Sequence, residues 1–518
     1  MIINNIHYKN YFYFTILYFI ANILLLLNLQ GVYWDDWTIY NQSFDSKAIL
    51  FNDIQFGIKG TYSLYVNDLV NSIVVNRIFI FVSYFIMAIL YYNILLTIKF
   101  ITVKDAFWLT MFFMLIPVNH AKLLISIAPF SLPLLLFFIA FYLLSKYLTN
   151  KIILYRILIL VLFYMSFDTN SILVFYVIVL FYIFYQEFYF IWNIHNIKSF
   201  LVKYIDFVIL PIIYFIIKMI YFRPTGIYEG YNMISLKGIL LFPYFLMKSF
   251  YETLYLGLNN TIFALVPFIL IIFLLFCKNK TLDILYSRKL LSKLIYLGIS
   301  FFIVAVFAYC LIGKLPGFFY TYSRFQILTP LSFSFIIYFS LLLFVKVFNI
   351  KKVIFLTIIW TLLLSFIIQN INYQLSYIKH YIYTEAIKEN IKDNEIIKNN
   401  TTFIIDYKCL NNELDNIGFM DYELNGMMKE VFNDESRLMV NNNKELHSLS
   451  NKITKRIMKL KNMTNWVEMK PIYVSITLDA HRTNERYLIL LFESYFNVNL
   501  FKSEVKKMIH IKIKNINE

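Results

Sequence analysis

The stretches YFYFTILYFIANILLLLNL (residues 11–29) and LIYLGISFFIVAVFAYCLI (residues 294–312) contain no charged side chain. Each is close to the ~20 residues a helix needs to cross ~30 Å of hydrocarbon. The rest of the chain has the same character. Of 518 residues, 60% are apolar and 15% charged, where a soluble domain carries about 25% charged residues. Mean hydropathy is +0.65. The sequence therefore predicts an integral membrane protein that crosses the bilayer many times. The 54 Phe and 42 Tyr, with abundant Ile, Asn and Lys, read as the coding bias of an AT-rich genome. The aromatic content carries little functional meaning on that reading.

A net charge of +16 raises the question of nucleic acid, but the cations cluster in short loops between apolar blocks and follow the membrane. Nucleic acid is excluded as a partner. Cys277, Cys310 and Cys409 are too few for a disulfide framework. The first apolar block follows Lys9 and leads through Gly31 into Val32-Tyr33-Trp34 with no small-x-small cleavage site, so it reads as an uncleaved anchor.

Crossings are expected at about 11–30, 78–98, 105–118, 123–145, 152–166, 170–190, 204–222, 261–277, 294–312, 325–345 and 353–370. With the N-terminus in the cytoplasm, the inner loops hold Lys99 and Lys104; Lys146, Lys151 and Arg156; Lys198 and Lys203; Lys278, Lys280, Arg288, Lys289 and Lys293; and Lys346, Lys351 and Lys352. The first outer loop, 31–76, carries Asp35, Asp36, Asp45, Asp53 and Asp68 against two lysines. This alternation predicts about eleven transmembrane helices in a plasma (bacterial inner) membrane, with the C-terminal domain outside the cytoplasm. Segment 236–258 is apolar but holds Pro243, Lys248 and Glu252 near its middle. It reads as a helix in the outer interface, its two charges paired at i,i+4.

The chain divides into a transmembrane part, 1–370, and an extracytoplasmic mixed α/β domain, 371–518. After residue 370 a helix leaves the membrane towards Lys398. Strands are then expected at 401–406, 471–476, 487–492 and 510–514, and helices at 421–432 and 443–461. No internal repeat, glycine-rich phosphate loop or metal-ligand spacing stands out.

Chemistry concentrates at Tyr33-Trp34-Asp35-Asp36-Trp37, directly after the first crossing. Of a carboxylate pair at the membrane surface, one can act as general base on a sugar hydroxyl. The other can orient that hydroxyl or hold a divalent cation. Trp34 and Trp37 can stack on a sugar ring, although tryptophans also mark headgroup depth. Outer-face cations are scarce, which singles out Arg223, Lys314 and Arg324 as phosphate ligands; the same residues at crossing ends can anchor to lipid. His120 and Lys122 share one tight outer turn, and Asp168 and Asn170 another. Either turn can face the same cavity as Asp35, with His120 a candidate substrate contact and Asp168 a candidate second carboxylate, although turns and caps also explain them. Asp406, Asp421 and Glu423 in the tail read as caps and turns.

An acidic pair in the loop after the first crossing, in a chain of many crossings with a C-terminal outer domain, resembles the GT-C class of polytopic glycosyltransferases. That class includes protein mannosyltransferases, aminoarabinose transferases and oligosaccharyltransferases. The resemblance implies that Asp35 or Asp36 is the catalytic carboxylate and that the donor is a sugar on polyprenyl phosphate. The acceptor would be a surface glycan, lipid or protein of the cell envelope. Some metal-dependent members use a second acidic motif that has no clear match here, so a divalent cation stays open and no metal ligand is assigned. The rival readings are a polymerase or ligase of lipid-linked oligosaccharide, a transporter or flippase of lipid-linked sugars, and a non-catalytic membrane scaffold.

Overall fold

A computed structural model describes residues 2–40, 42–189, 191–258, 284–318, 320–410, 412–414, 418–452, 458, 462–479 and 482–514. The protein is a helical bundle with a small sheet domain at one end. Seven helices among the described residues are long and apolar enough to cross a membrane: His7–Leu27, Ser72–Leu95, Ile125–Asn150, Asn170–Phe188, Arg288–Cys310, Thr329–Phe348 and Lys352–Lys392. An eighth forms if Ile194–Lys203 and Ile205–Tyr221, bent by 64°, are one broken span.

Two of the eleven expected crossings are shorter helices. Val103–Leu115 has 13 residues, about 20 Å of rise. It ends because Ile116 precedes Pro117 and leaves the helical region, at ψ 127°. Ile153–Ser166 has 14 residues. The expected crossing 261–277, with Cys277, lies outside the described residues. Segment 236–258 forms two helices, Leu236–Leu240 and Phe242–Leu258. Lys248 and Glu252 pair there at 3.6 Å, and the second helix packs on Arg288–Cys310 and on Lys352–Lys392.

The element that positions the site is Lys352–Lys392, a single helix of 41 residues, about 60 Å long. The expected domain boundary at 370/371 falls inside it. Buried amides fasten it to the bundle. The Asn370 side chain donates to Leu115 O at 2.7 Å. Gln374 donates to Ala21 O at 2.7 Å and accepts the Leu25 N–H at 2.8 Å. Its far half packs against Asp421–Phe432, Asn484–Phe496 and Val498–Lys506.

The sheet contains β1 (Thr402–Asp406), β2 (Leu438–Val440), β3 (Ile472–Leu478) and β4 (Ile509–Lys514) in the order β2-β1-β3-β4. β1 runs parallel to β2 and β3, and β4 is antiparallel to β3. Residues 487–492, expected as a strand, lie in the helix Asn484–Phe496, which buries Tyr487, Leu490, Leu491 and Ser494. That 3-and-4 spacing is helical, and Thr483 caps the start by accepting the Arg486 N–H. β2 was not expected; three residues are too few to show a period. The helices expected at 421–432 and 443–461 appear as Asp421–Phe432 and, within the described residues, Asn443–Lys452.

The two parts are built into each other. Tyr495 accepts the Leu29 N–H at 2.8 Å and donates to Leu27 O at 2.6 Å, closing the end of the first helix. Trp37 packs directly against Gly426, where a Cβ would stand 2.3 Å from Trp37 Cε3. Gly426→Ala is therefore expected to destabilise the protein by about 1–3 kcal/mol through overpacking. Thermal unfolding in detergent checks this, and an unchanged midpoint would place the indole elsewhere.

Candidate active site

The segment Tyr33–Thr38 leaves the first helix and forms one short 3₁₀ turn, Trp34–Thr38. Its two carboxylates point to different surroundings. Asp36 is 0% exposed. One of its oxygens accepts the Ser126 N–H at 2.8 Å, and the other accepts the Tyr33 N–H at 3.3 Å. The Arg77 guanidinium, also 0% exposed, is its electrostatic partner and donates to Gly31 O at 3.0 Å. Burial still pushes Asp36 upward. Asp36 ties the turn to the bundle.

Asp35 is only half-buried and faces a different set of groups. Burial raises its carboxyl to about 7, although the Arg324 guanidinium and the Tyr422 hydroxyl act to hold it down, and Asp36 adds to the rise. A carboxyl that titrates near neutrality suits a general base.

Arg324 stands in the 3₁₀ turn Tyr320–Gln326. That turn is moored to the turn at 120–123, because Ser323 Oγ accepts the Ala121 N–H at 2.9 Å. The guanidinium carbon lies 4.3 Å from the Trp34 ring centre and 4.8 Å from that of Phe325. This fixes the planar cation beside Asp35. Lys314 approaches the same place, with Nζ 3.8 Å from the Tyr231 ring centre. Burial, then Arg324 and Lys59, push it down to about 6.

Lys59 is a member the sequence did not single out. It is 3% exposed, with Nζ 4.1 Å from the Phe56 ring centre and 4.3 Å from that of Phe130. Burial lowers it to about 8, against the pull of Asp168. Asp168 itself caps the helix Ile58–Val66, accepting the Gly57 N–H at 3.0 Å and the Lys59 N–H at 2.8 Å. Tyr228 and Tyr231 complete the surroundings of Asp35, whose charge helps raise both phenols.

No family model matches the chain, and no curated protein or solved structure matches it.

Of the residues singled out by sequence, Trp34, Asp35, Lys314 and Arg324 come together. Trp37 does not face them. It is buried at the junction with the C-terminal domain, its carbonyl accepting from the Asn462 amide at 3.0 Å. It also lines a separate cleft of about 260 Å³ with Tyr381, Glu385, Lys388 and Phe501. His120 is buried, stacked at 4.2 Å on Tyr373, with Nε2 2.5 Å from Phe318 O. Burial lowers it to about 4, so it is neutral near pH 7 and serves to pin the 318 loop to the long helix. Arg223 is exposed, two residues past the helix Ile205–Tyr221, and donates back to Met219 O within that helix. Among the described residues no three His, Cys, Asp or Glu form a group able to hold a metal ion.

Lys59 escaped notice because a lysine in an acidic loop reads as solvated charge. Only the fold places it beside Lys314. Tyr422 carried no signal of its own.

Proposed function

We propose that the protein is a membrane glycosyltransferase of the GT-C kind. It would move a sugar from polyprenyl phosphate to a surface glycan, lipid or protein on the extracytoplasmic side of the plasma membrane. The observation that carries this reading is a single half-buried carboxylate, raised to about 7, set against Arg324 with Lys314 and Lys59 close by.

Asp35 takes the proton of the acceptor hydroxyl. The acceptor oxygen then bonds to the anomeric carbon as that carbon's bond to the phosphate oxygen breaks, and the electron pair leaves with the phosphate. The donor phosphodiester carries about one negative charge, and the departing polyprenyl phosphate approaches two as it forms. Cations that gain interaction as this charge grows lower the barrier, because they favour the transition state over the ground state. Arg324 supplies a permanent planar charge, and Lys314 can gain a proton as the phosphate charge builds. Trp34, with Arg324 over its ring, stands beside Asp35 where the sugar is held.

The proton balance gives a test. Lys314, held down to about 6, is mostly neutral in the empty site at pH 7. An anionic phosphate raises its pKa, so binding takes up a proton and donor affinity falls as pH rises. Calorimetry in buffers of different ionisation enthalpy is expected to show net uptake approaching about one proton at pH 7. Lys314→Arg, permanently charged, is expected to remove most of it. Zero uptake by the wild-type protein would remove Lys314 from the phosphate site. On the acid side, turnover is expected to fall as pH drops through about 7, because Asp35 must be ionised to accept the proton.

A further inference from the structure

The turn that presents Asp35 does not hold itself. Trp34 has φ +48°, a left-handed conformation that costs a bulky residue free energy. Its N–H, at the open start of the 3₁₀ turn, needs an acceptor. That acceptor is Glu423 Oε1 at 2.6 Å, 389 positions away in the chain. The other Glu423 oxygen accepts the Met420 N–H at 2.7 Å and closes the first turn of Asp421–Phe432. A helix cap needs only this second contact. The first reaches across the domain junction, and Glu423 is 0% exposed there, with His380 Nε2 3.8 Å away. The Trp34 ring in turn carries Arg324 at 4.3 Å.

We infer that Glu423 is a positioning residue for this site, holding the Trp34–Asp35 turn in place. The C-terminal domain thereby completes the site. The catalytic part of this inference rests on the transferase reading above, whereas the positioning part does not. The titratable and charged groups around Asp35 are Arg324, Tyr422, Asp36, Tyr228, Tyr231 and Glu423.

Two readouts on the full-length protein in nanodiscs test it. Amide exchange across residues 31–38 requires no activity. Glu423→Ala is expected to speed exchange of this turn at least about tenfold. Glu423→Gln, which keeps a carbonyl acceptor for the Trp34 N–H, is expected to stay near wild type. The second readout is transfer itself: Glu423→Ala is expected to lower turnover at least about tenfold, and Glu423→Gln to restore most of it.

Unchanged exchange in Glu423→Ala, or a Glu423→Gln no better than Glu423→Ala in both readouts, overturns the inference. Should Glu423→Ala fail to fold, Glu423→Asp, one methylene too short to reach both N–H groups, is expected to speed exchange of the turn, and unchanged exchange there overturns the inference. If Asp35→Asn transfers at the wild-type rate, the transferase reading fails while the exchange result still decides the positioning. If Asp35→Asn is inactive and neither readout moves, only the inference fails.

Discussion

Asp35→Asn is expected to insert and fold normally and to lose about 10²–10⁴-fold in transfer, the range that general-base catalysis supplies. Asp36→Asn is expected to fail earlier, in the fold. The amide keeps the size of each side chain but removes the proton acceptor at position 35 and a buried negative charge at position 36. Asp36 accepts two backbone N–H groups and offsets Arg77, both residues being 0% exposed. Removing one member of a buried charge pair costs about 3–5 kcal/mol, because the other remains desolvated and unpaired. The expected result is a folded, inactive Asp35→Asn and an Asp36→Asn with a clearly lowered unfolding midpoint. Size-exclusion profiles, thermal unfolding and a transfer assay on the same preparations check it. Equal effects of the two substitutions on both stability and turnover would contradict the division of roles.

The second large effect is expected at Arg324. Arg324→Ala removes the charge and Arg324→Lys keeps it, but lysine loses the plane that lies over Trp34 at 4.3 Å. Truncating one partner of a buried charge-assisted contact typically costs about 2–5 kcal/mol. Donor affinity is therefore expected to fall at least about tenfold in the alanine variant, and measurably in the lysine variant. A lipid-anchoring arginine would behave differently, since either cation satisfies a headgroup and loss of one anchor leaves donor affinity unchanged. Arg223, exposed just past the helix Ile205–Tyr221, provides that contrast. Arg223→Ala is expected to leave donor binding as it is, and direct binding measurements on the three variants make the comparison.

The bundle was legible because membrane crossing is written in composition, and blocks such as 11–29 and 294–312 admit little else. Helix ends were less so. The polar run from Asn370 to Gln374 marks the end of the apolar stretch, yet the same helix continues for about five more turns, to Lys392. Those polar side chains are spent on neighbouring backbone, Asn370 on Leu115 and Gln374 on Ala21 and Leu25, and do not end the helix. Residues 487–492 show the reverse difficulty: six apolar side chains in a row fit a buried strand or a helix, and their partners decide.

At the site, spacing alone marked the acidic pair but could not divide it, because what separates Asp35 from Asp36 is Ser126 and Arg77, distant in sequence. Arg324 and Arg223 looked alike as cations at crossing ends. Glu423 read as a cap, and it is one through Met420, but its second oxygen serves a residue that only the tertiary fold brings within 2.6 Å.

The most direct measurement is release of sugar from a polyprenyl-phosphate-linked sugar by the purified wild-type protein in nanodiscs, with Asp35→Asn alongside. The wild type is expected to consume donor, faster as pH rises through about 7, the value to which burial raises the Asp35 carboxyl, and Asp35→Asn to bind the same donor without consuming it. Wild-type protein that is folded and saturated with donor, is supplied with candidate acceptors, and still leaves the sugar–phosphate bond intact would contradict it.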